Sequence, residues 1–213
     1  MTSTQQYFST VALQWDELRA GFFTAAMRDD AITRANLPPG AIVADVGTGT
    51  GFVLQGLLPF ARRLVGFDAS AEMLDVAAGN LANADKAGNA QVELRQADGA
   101  ALPAEAESFD AVFANMYLHH APDPARAIAE MARILKPGGR LVITDLDSHD
   151  QAWMREAMAD RWLGFARDDL RRWFEAAGLH DITIENAAGS CDCCDTPANE
   201  SISLGVFLAL GAK

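Results

Sequence analysis

From Ala41 onward, short β-rich runs alternate with longer stretches in which apolar residues recur at helical spacing. That is the pattern of a parallel sheet with crossover helices. The spacing predicts strands over Ile42–Val46, Leu64–Phe67, Gln91–Arg95, Ala111–Ala114 and Arg140–Asp145, each brief and buried in character. Between the last two, Asp123 can cap a helix and Pro124 suits its first turn. Ala127, Ile128, Met131, Ile134 and Leu135 form its apolar stripe, and Lys136–Gly139 ends it.

The flanks carry the same two periods. Tyr7–Asn36 reads as helical and bears Phe8, Trp15, Phe22 and Phe23, an aromatic cap ahead of the first strand. Gln151–Asp160 and Asp168–Ala177 read as helices, the second stopped by Gly178. Two strand-like runs follow, Asp181–Ala187 and Ser201–Leu210, joined by a loop that holds all the cysteines. No repeat or low-complexity linker interrupts the chain, so one domain is expected over residues 1–213. Its parts are a helical cap (1–40), a core (41–146) and C-terminal helices with a strand pair (147–213).

Charge and composition narrow the partners. Lys and Arg number 17 against 29 Asp and Glu, a formal charge of −12, and no basic stretch could track a phosphate backbone, so nucleic acid is not an expected partner. No uncharged apolar run approaches the ~20 residues that span a bilayer. The first ten residues lack the basic and apolar segments of a secretory leader, which makes the cytoplasm the expected address and a membrane not a partner. The three cysteines are clustered rather than spaced as a disulfide framework, so reduced thiols are expected.

Chemistry concentrates in Val43-Ala-Asp-Val-Gly-Thr-Gly-Thr-Gly51, an apolar strand entering a glycine turn and then a helix near Phe52. Glycine lets backbone approach a ligand closely, and the helix start offers unpaired N–H groups. The dinucleotide pattern G-x-G-x-x-G, begun at Gly47, needs a small residue where Phe52 stands, which disfavours a pyrophosphate. Asp45 instead places a carboxylate at the strand end, suited to the cationic amino-acid moiety of S-adenosylmethionine or simply to capping the loop. Asp68 ends the second strand, where a carboxylate can accept from two ribose hydroxyls. Asp98 follows the third strand and could accept from an adenine amino group beside the backbone donors of Gly99 and Ala100. Any one acid could be a turn cap; three at the same edge of a parallel sheet point to a shared ligand.

These segments, with FDAVFANMYLHH and LKPGGRLVITD, resemble the class I S-adenosylmethionine-dependent methyltransferases over about Ala41 to Asp145. The likeness is to the small-molecule branch that includes ubiquinone/menaquinone and arsenite methyltransferases. The resemblance implies an α/β, Rossmann-like, seven-stranded, mostly parallel sheet with helices on both faces and one antiparallel C-terminal strand. It also implies cofactor contacts from Asp45, Gly47, Gly49, Asp68, Asp98 and Asn115, with Thr48, Ala69, Met73, Gly99 and Ala100 completing the set. S-adenosyl-L-homocysteine would be the product and a small molecule the methyl acceptor.

A sulfonium methyl is already electrophilic, so the protein's task is alignment and exclusion of water. Where the acceptor carries a proton, a neutral imidazole could remove it, and His119 and His120 follow the fourth strand on the ligand-bearing edge. Each could equally pack against, or cap, the helix that starts near Asp123. Cys191, Cys193 and Cys194 could together hold a soft ion such as arsenite, mercury or zinc, or form a reduced surface loop. Two other classes stay open: a noncatalytic sensor of the cofactor or of a soft metal, and a nicotinamide-dependent oxidoreductase.

Overall fold

The computed structural model describes residues 3–85, 90–193 and 202–213. Seven strands form one sheet: β1 (Ala41–Val46), β2 (Ala61–Asp68), β3 (Gln91–Gln96), β4 (Phe109–Asn115), β5 (Leu135–Leu146), β6 (His180–Cys193) and β7 (Ile202–Ala212). Their order is β3-β2-β1-β4-β5-β7-β6. β1 pairs in parallel with β2 and β4, β2 with β3, and β4 with β5; β7 runs antiparallel between β5 and β6. This is the Rossmann-like architecture, with its one reversed strand supplied by β7.

The central strands are apolar throughout because both faces of the sheet are covered. Val43 of β1 and Ala111 and Phe113 of β4 pack with α3 (Ala25–Ala35), α4 (Phe52–Leu57) and α5 (Ala71–Ala84). Their neighbours Ala44, Val46, Val112 and Ala114 point the other way, into α6 (Pro124–Ile134) and α8 (Arg167–Ala176). Successive side chains alternate between two cores, as the pleat requires. Asp123 caps α6, its carboxylate accepting from the Arg126 N–H at 3.1 Å.

The structure departs from the sequence pattern in four places. Tyr7–Asn36 is not one helix but α1 (Ser3–Val11), a 3-10 turn, α2 (Trp15–Ala20) and α3, with Gly21 ending α2. β5 begins at Leu135, because Leu135 pairs with Phe109 across a register shift before Arg140 takes up the regular ladder. Gln151–Asp160 yields one helical turn, α7 (Met154–Ala157), after which Ala159 takes a left-handed φ of 58°. The Arg161 and Trp162 N–H groups then bond to the His119 carbonyl at 3.0 and 3.1 Å, so long-range pairing replaces the expected helix. Finally, β6 runs through the cysteine cluster: Cys191 pairs with Leu204 and Cys193 with Ile202 instead of lying in a loop. Cys194 lies outside the described residues. Among the described residues no helix is long and apolar enough to cross a membrane.

Candidate functional site

Strand order reverses between β1 and β4, and in open α/β sheets the crevice beyond the carboxyl ends at such a point is the ligand site. The cavity there is walled by the glycine turn, the ends of β2 and β4, the Ala97–Gly99 loop, and Phe8 and Trp15 of the N-terminal helices. Of the residues expected to meet the cofactor, Asp45, Gly47, Thr48, Gly49, Asp68, Ala69, Met73, Asp98, Gly99 and Asn115 all line it; Ala100 does not.

The turn is built on positive φ angles at Gly47 (72°), Gly49 (51°) and Gly51 (85°), a conformation that glycine adopts without steric cost. The Gly47 and Thr48 N–H groups bond to the Phe67 carbonyl at 2.8 and 3.0 Å, which pins the turn to β2. Asp45 is buried. Its Oδ2 accepts from the Thr48 hydroxyl at 2.7 Å, whereas its Oδ1 receives no hydrogen bond. Burial, helped by the charge of Asp68 and opposed by the Thr48 bond, raises its carboxyl to about 7. An orphaned carboxylate oxygen on a cavity wall suits a cationic ligand group. Asp68 accepts from the N–H groups of Gly49 (2.8 Å) and Ser70 (2.9 Å), and burial raises its pKa as well. Ser70 in turn caps α5 through the Met73 N–H, which carries Met73 to the cavity.

The third acid corrects one expectation. The Ala100 N–H donates to Asp98 Oδ1 at 2.9 Å, so it is spent inside the turn and is not a donor to a ligand. Asn115 accepts from the Thr144 hydroxyl at 2.6 Å, which fixes its amide at the end of β4.

One residue that motif spacing did not single out is central. The Tyr117 ring crosses the cavity floor between two glycines: a Cβ on Gly47 would meet the ring at 2.5 Å, and one on Gly99 its hydroxyl at 2.1 Å. Burial and the nearby charges of Asp98 and Asp68 push the phenol's pKa upward, so it stays protonated.

The cap is tied to the turn. Asp16 of α2 accepts from the Thr50 hydroxyl (2.7 Å) and the Asn80 amide (2.8 Å) and pairs with Arg19. Asp16→Ala should therefore loosen the cap without touching the ligand floor. The expected result is about tenfold weaker binding of S-adenosylhomocysteine by calorimetry, equivalent to roughly 1.4 kcal/mol, with the apolar face of α3 still packed. Unchanged affinity would mean that the cap does not help close the site.

The two histidines separate. His120 lines the cavity, its ring set edge-on to Phe8 at 4.8 Å between centroids. His119 stands behind it, outside the cavity lining, with Nδ1 2.7 Å from Asp145 Oδ1. Of the two, His120 is the one placed on the cavity wall, whereas His119 is committed through Nδ1 to Asp145. Burial, then the nearby His119, holds His120 well below the usual imidazole range. For His119 burial pulls downward, but Asp145 and Asp160 prevail and raise it. Asp160, which no sequence motif marks, lies 3.7 Å from His119 Nε2 and 3.8 Å from His120 Nδ1, and burial lifts its carboxyl to about 6. Cys191 packs in the apolar core beside Ala187, Leu204 and Val206 and does not reach the cavity.

The methyltransferase domain family matches residues 44–143. A 2-methyl-6-phytyl-1,4-hydroquinone methyltransferase of Oryza sativa is 30% identical over 84% of this chain and 54% of its own length. A ubiquinone/menaquinone biosynthesis C-methyltransferase, UbiE, of Marinomonas is 31% identical over 66% of this chain and 57% of its own. The chain thus spans about half the length of these curated relatives. The Haemonchus contortus phosphoethanolamine N-methyltransferase 2, solved with S-adenosyl-L-methionine, superposes with a TM-score of 0.76. It is 18% identical, over 100% of this chain and 60% of that one, a likeness of fold alone. In its sheet order, its glycine turn and these relatives, the chain is similar to the class I S-adenosylmethionine-dependent methyltransferases.

Proposed function

We propose that this protein transfers a methyl group from S-adenosylmethionine to a small acceptor of the hydroquinone class. The observation that carries the reading is the buried Asp45 oxygen without a hydrogen-bond donor, set at the head of a glycine turn with Asp68 and Asp98 along the same rim. Asp45 would hold the cationic amino-acid end, Asp68 the ribose and Asp98 the adenine edge. When bound, the cofactor supplies an electrophilic methyl on sulfur. The acceptor class is supported by the relatives named for hydroquinone and quinone methylation, and by a cavity wall that is aromatic and apolar at Phe8, Trp15, Phe23 and Pro122.

The chain's own part is orientation and dryness. Phe8 and Trp15 keep water from the reacting centre. His120 offers the acceptor's ring hydroxyl a hydrogen-bond partner from the cavity wall, held in place by the turn Leu118–His120. That turn is anchored by the Leu118 and His119 N–H groups on Asp145 Oδ2 at 2.8 and 3.3 Å. The alternative acceptor, a metalloid held by Cys191, Cys193 and Cys194, gains no support from the position of Cys191 in the core.

The test runs in two stages. Calorimetric titration should give one S-adenosylhomocysteine site per chain and no heat with NAD. Labelled methyl from S-adenosylmethionine should then appear on hydroquinones and not on thiols or arsenite. Binding of NAD alone would discard the cofactor assignment, and label on arsenite would discard the acceptor.

A further inference from the structure

We infer that His119, His120 and Asp160 form a binding site for a first-row divalent metal ion, with Asp145 as the carboxylate that orients His119. The site is distinct from the cofactor pocket and adjoins it, because His120 is also part of the cavity wall.

One ligand atom from each of the three side chains can be chosen so that all lie within 4.8 Å of one another. The separations from Asp160 Oδ1, 3.7 Å to His119 Nε2 and 3.8 Å to His120 Nδ1, are too long for hydrogen bonds. They are close to what an ion needs. Bonds of about 2.0–2.2 Å from nitrogen and oxygen place ligand atoms roughly 3.3–3.6 Å apart at tetrahedral to trigonal angles. The two Asp160 contacts need to close by a few tenths of an ångström and the widest pair of the cluster by up to about 1.5 Å, and His120 Nδ1 must turn from the Ala159 carbonyl that it faces at 3.4 Å.

The Asp160 carboxylate makes the case independently. The residue is 5% exposed, and both carboxylate oxygens are buried without a hydrogen-bond donor among the described residues. A buried acid with no donor either keeps its proton or meets a cation, and an ion held between it and the two imidazoles would supply that charge. His119 cannot serve with the nitrogen that faces Asp145, since Nδ1 donates there; Nε2 is left to face Asp160. A histidine whose second nitrogen is held by a carboxylate is the usual arrangement of a metal ligand and its outer partner.

The backbone sets these groups before any ion arrives. The Asp145 carboxylate grips the histidine turn, while the Arg161 and Trp162 N–H groups bond to the His119 carbonyl and the Trp162 indole to the Ala121 carbonyl at 2.9 Å. Two imidazoles and one carboxylate suit zinc, manganese, iron(II), cobalt or nickel, and leave positions open for oxygen donors. An acceptor hydroxyl is the oxygen donor that the adjoining cavity could bring to it.

The test uses the full chain stripped with chelator and titrated with Co²⁺, whose visible ligand-field bands report nitrogen and oxygen coordination. One ion per chain is expected. Asp160→Asn should weaken binding by at least about 100-fold and Asp145→Asn by about 10–100-fold, the usual cost of an outer partner. Replacing Cys191, Cys193 and Cys194 together by Ser should leave the bands unchanged. S-adenosylhomocysteine affinity, measured on the same samples, should be retained in Asp160→Asn, which shows the variant folded and separates this site from the cofactor assignment. Absence of cobalt binding, bands insensitive to Asp160→Asn, or bands lost in the cysteine variant would each overturn the assignment.

Discussion

Gly47→Ala should eliminate measurable binding of S-adenosylhomocysteine while the chain still folds. Two costs coincide at this position. Its φ of 72° is a conformation in which a residue with a Cβ loses about 1–2 kcal/mol. The new methyl would also stand 2.5 Å from the Tyr117 ring, far inside van der Waals contact. The ring has little room to retreat, because its hydroxyl already occupies the space where a Gly99 side chain would lie. The strain is relieved only by moving the ring into the cavity or by opening the turn, and either displaces the surface on which the cofactor would rest. A loss of at least about 100-fold in affinity, roughly 2.7 kcal/mol, is expected, with a stability cost of about 2–3 kcal/mol. Two companions isolate the cause. Tyr117→Ala combined with Gly47→Ala should recover part of the stability, since the clash is gone and only the backbone cost remains. Gly79→Ala, in α5 with no atom within 4 Å of its new methyl, should be neutral or stabilising by up to about 1 kcal/mol. A Gly47→Ala protein that binds within a factor of a few of the parent would mean that the turn is not the cofactor's seat.

That turn is legible in the sequence, and the reason is local. Asp45, Asp68 and Asp98 each lie at or just past the end of a strand, so the positions of the strands place the acids on one rim. Tyr117 had no comparable signal. Nothing within a few residues of it indicates that its ring spans Gly47 and Gly99, which belong to other strand ends. Asp160 was hidden for a different reason. Trp153, Met154 and Met158 imitate a helical stripe through its segment, and the helix is prevented by backbone bonds to His119, some forty residues earlier in the chain. The cysteines illustrate the opposite error. A polar, cysteine-rich stretch reads as a loop, but pairing of Cys191 and Cys193 with β7 draws it into the sheet and buries Cys191. What failed to show in the sequence is what depends on contacts between distant segments.

Asp45→Asn should separate stability from binding, and with opposite signs. In the cofactor-free protein the Asp45 carboxyl sits at about 7, against 3.8 in the unfolded chain. The folded state therefore holds this proton more tightly than the unfolded state does. The group's contribution to stability is complete below about pH 4, falls as pH rises toward 7, and is gone above it. The asparagine cannot acquire a buried charge, so at about pH 8 the variant should be more stable than the parent by on the order of 2 kcal/mol, or several degrees in Tm. The gain should vanish at about pH 4, where both side chains are neutral. Binding runs the other way. A cationic ligand group favours the ionised carboxylate, so parent affinity for S-adenosylhomocysteine should climb up to tenfold per pH unit below about 7 and level off above it. Near pH 6, complex formation should release a proton, visible as a binding heat that varies with the ionisation enthalpy of the buffer. Asp45→Asn should bind at least about 100-fold more weakly at pH 8, with no pH dependence from this site. A variant that is both less stable at pH 8 and undiminished in affinity would place the buried charge elsewhere and leave the orphaned oxygen of Asp45 without a role.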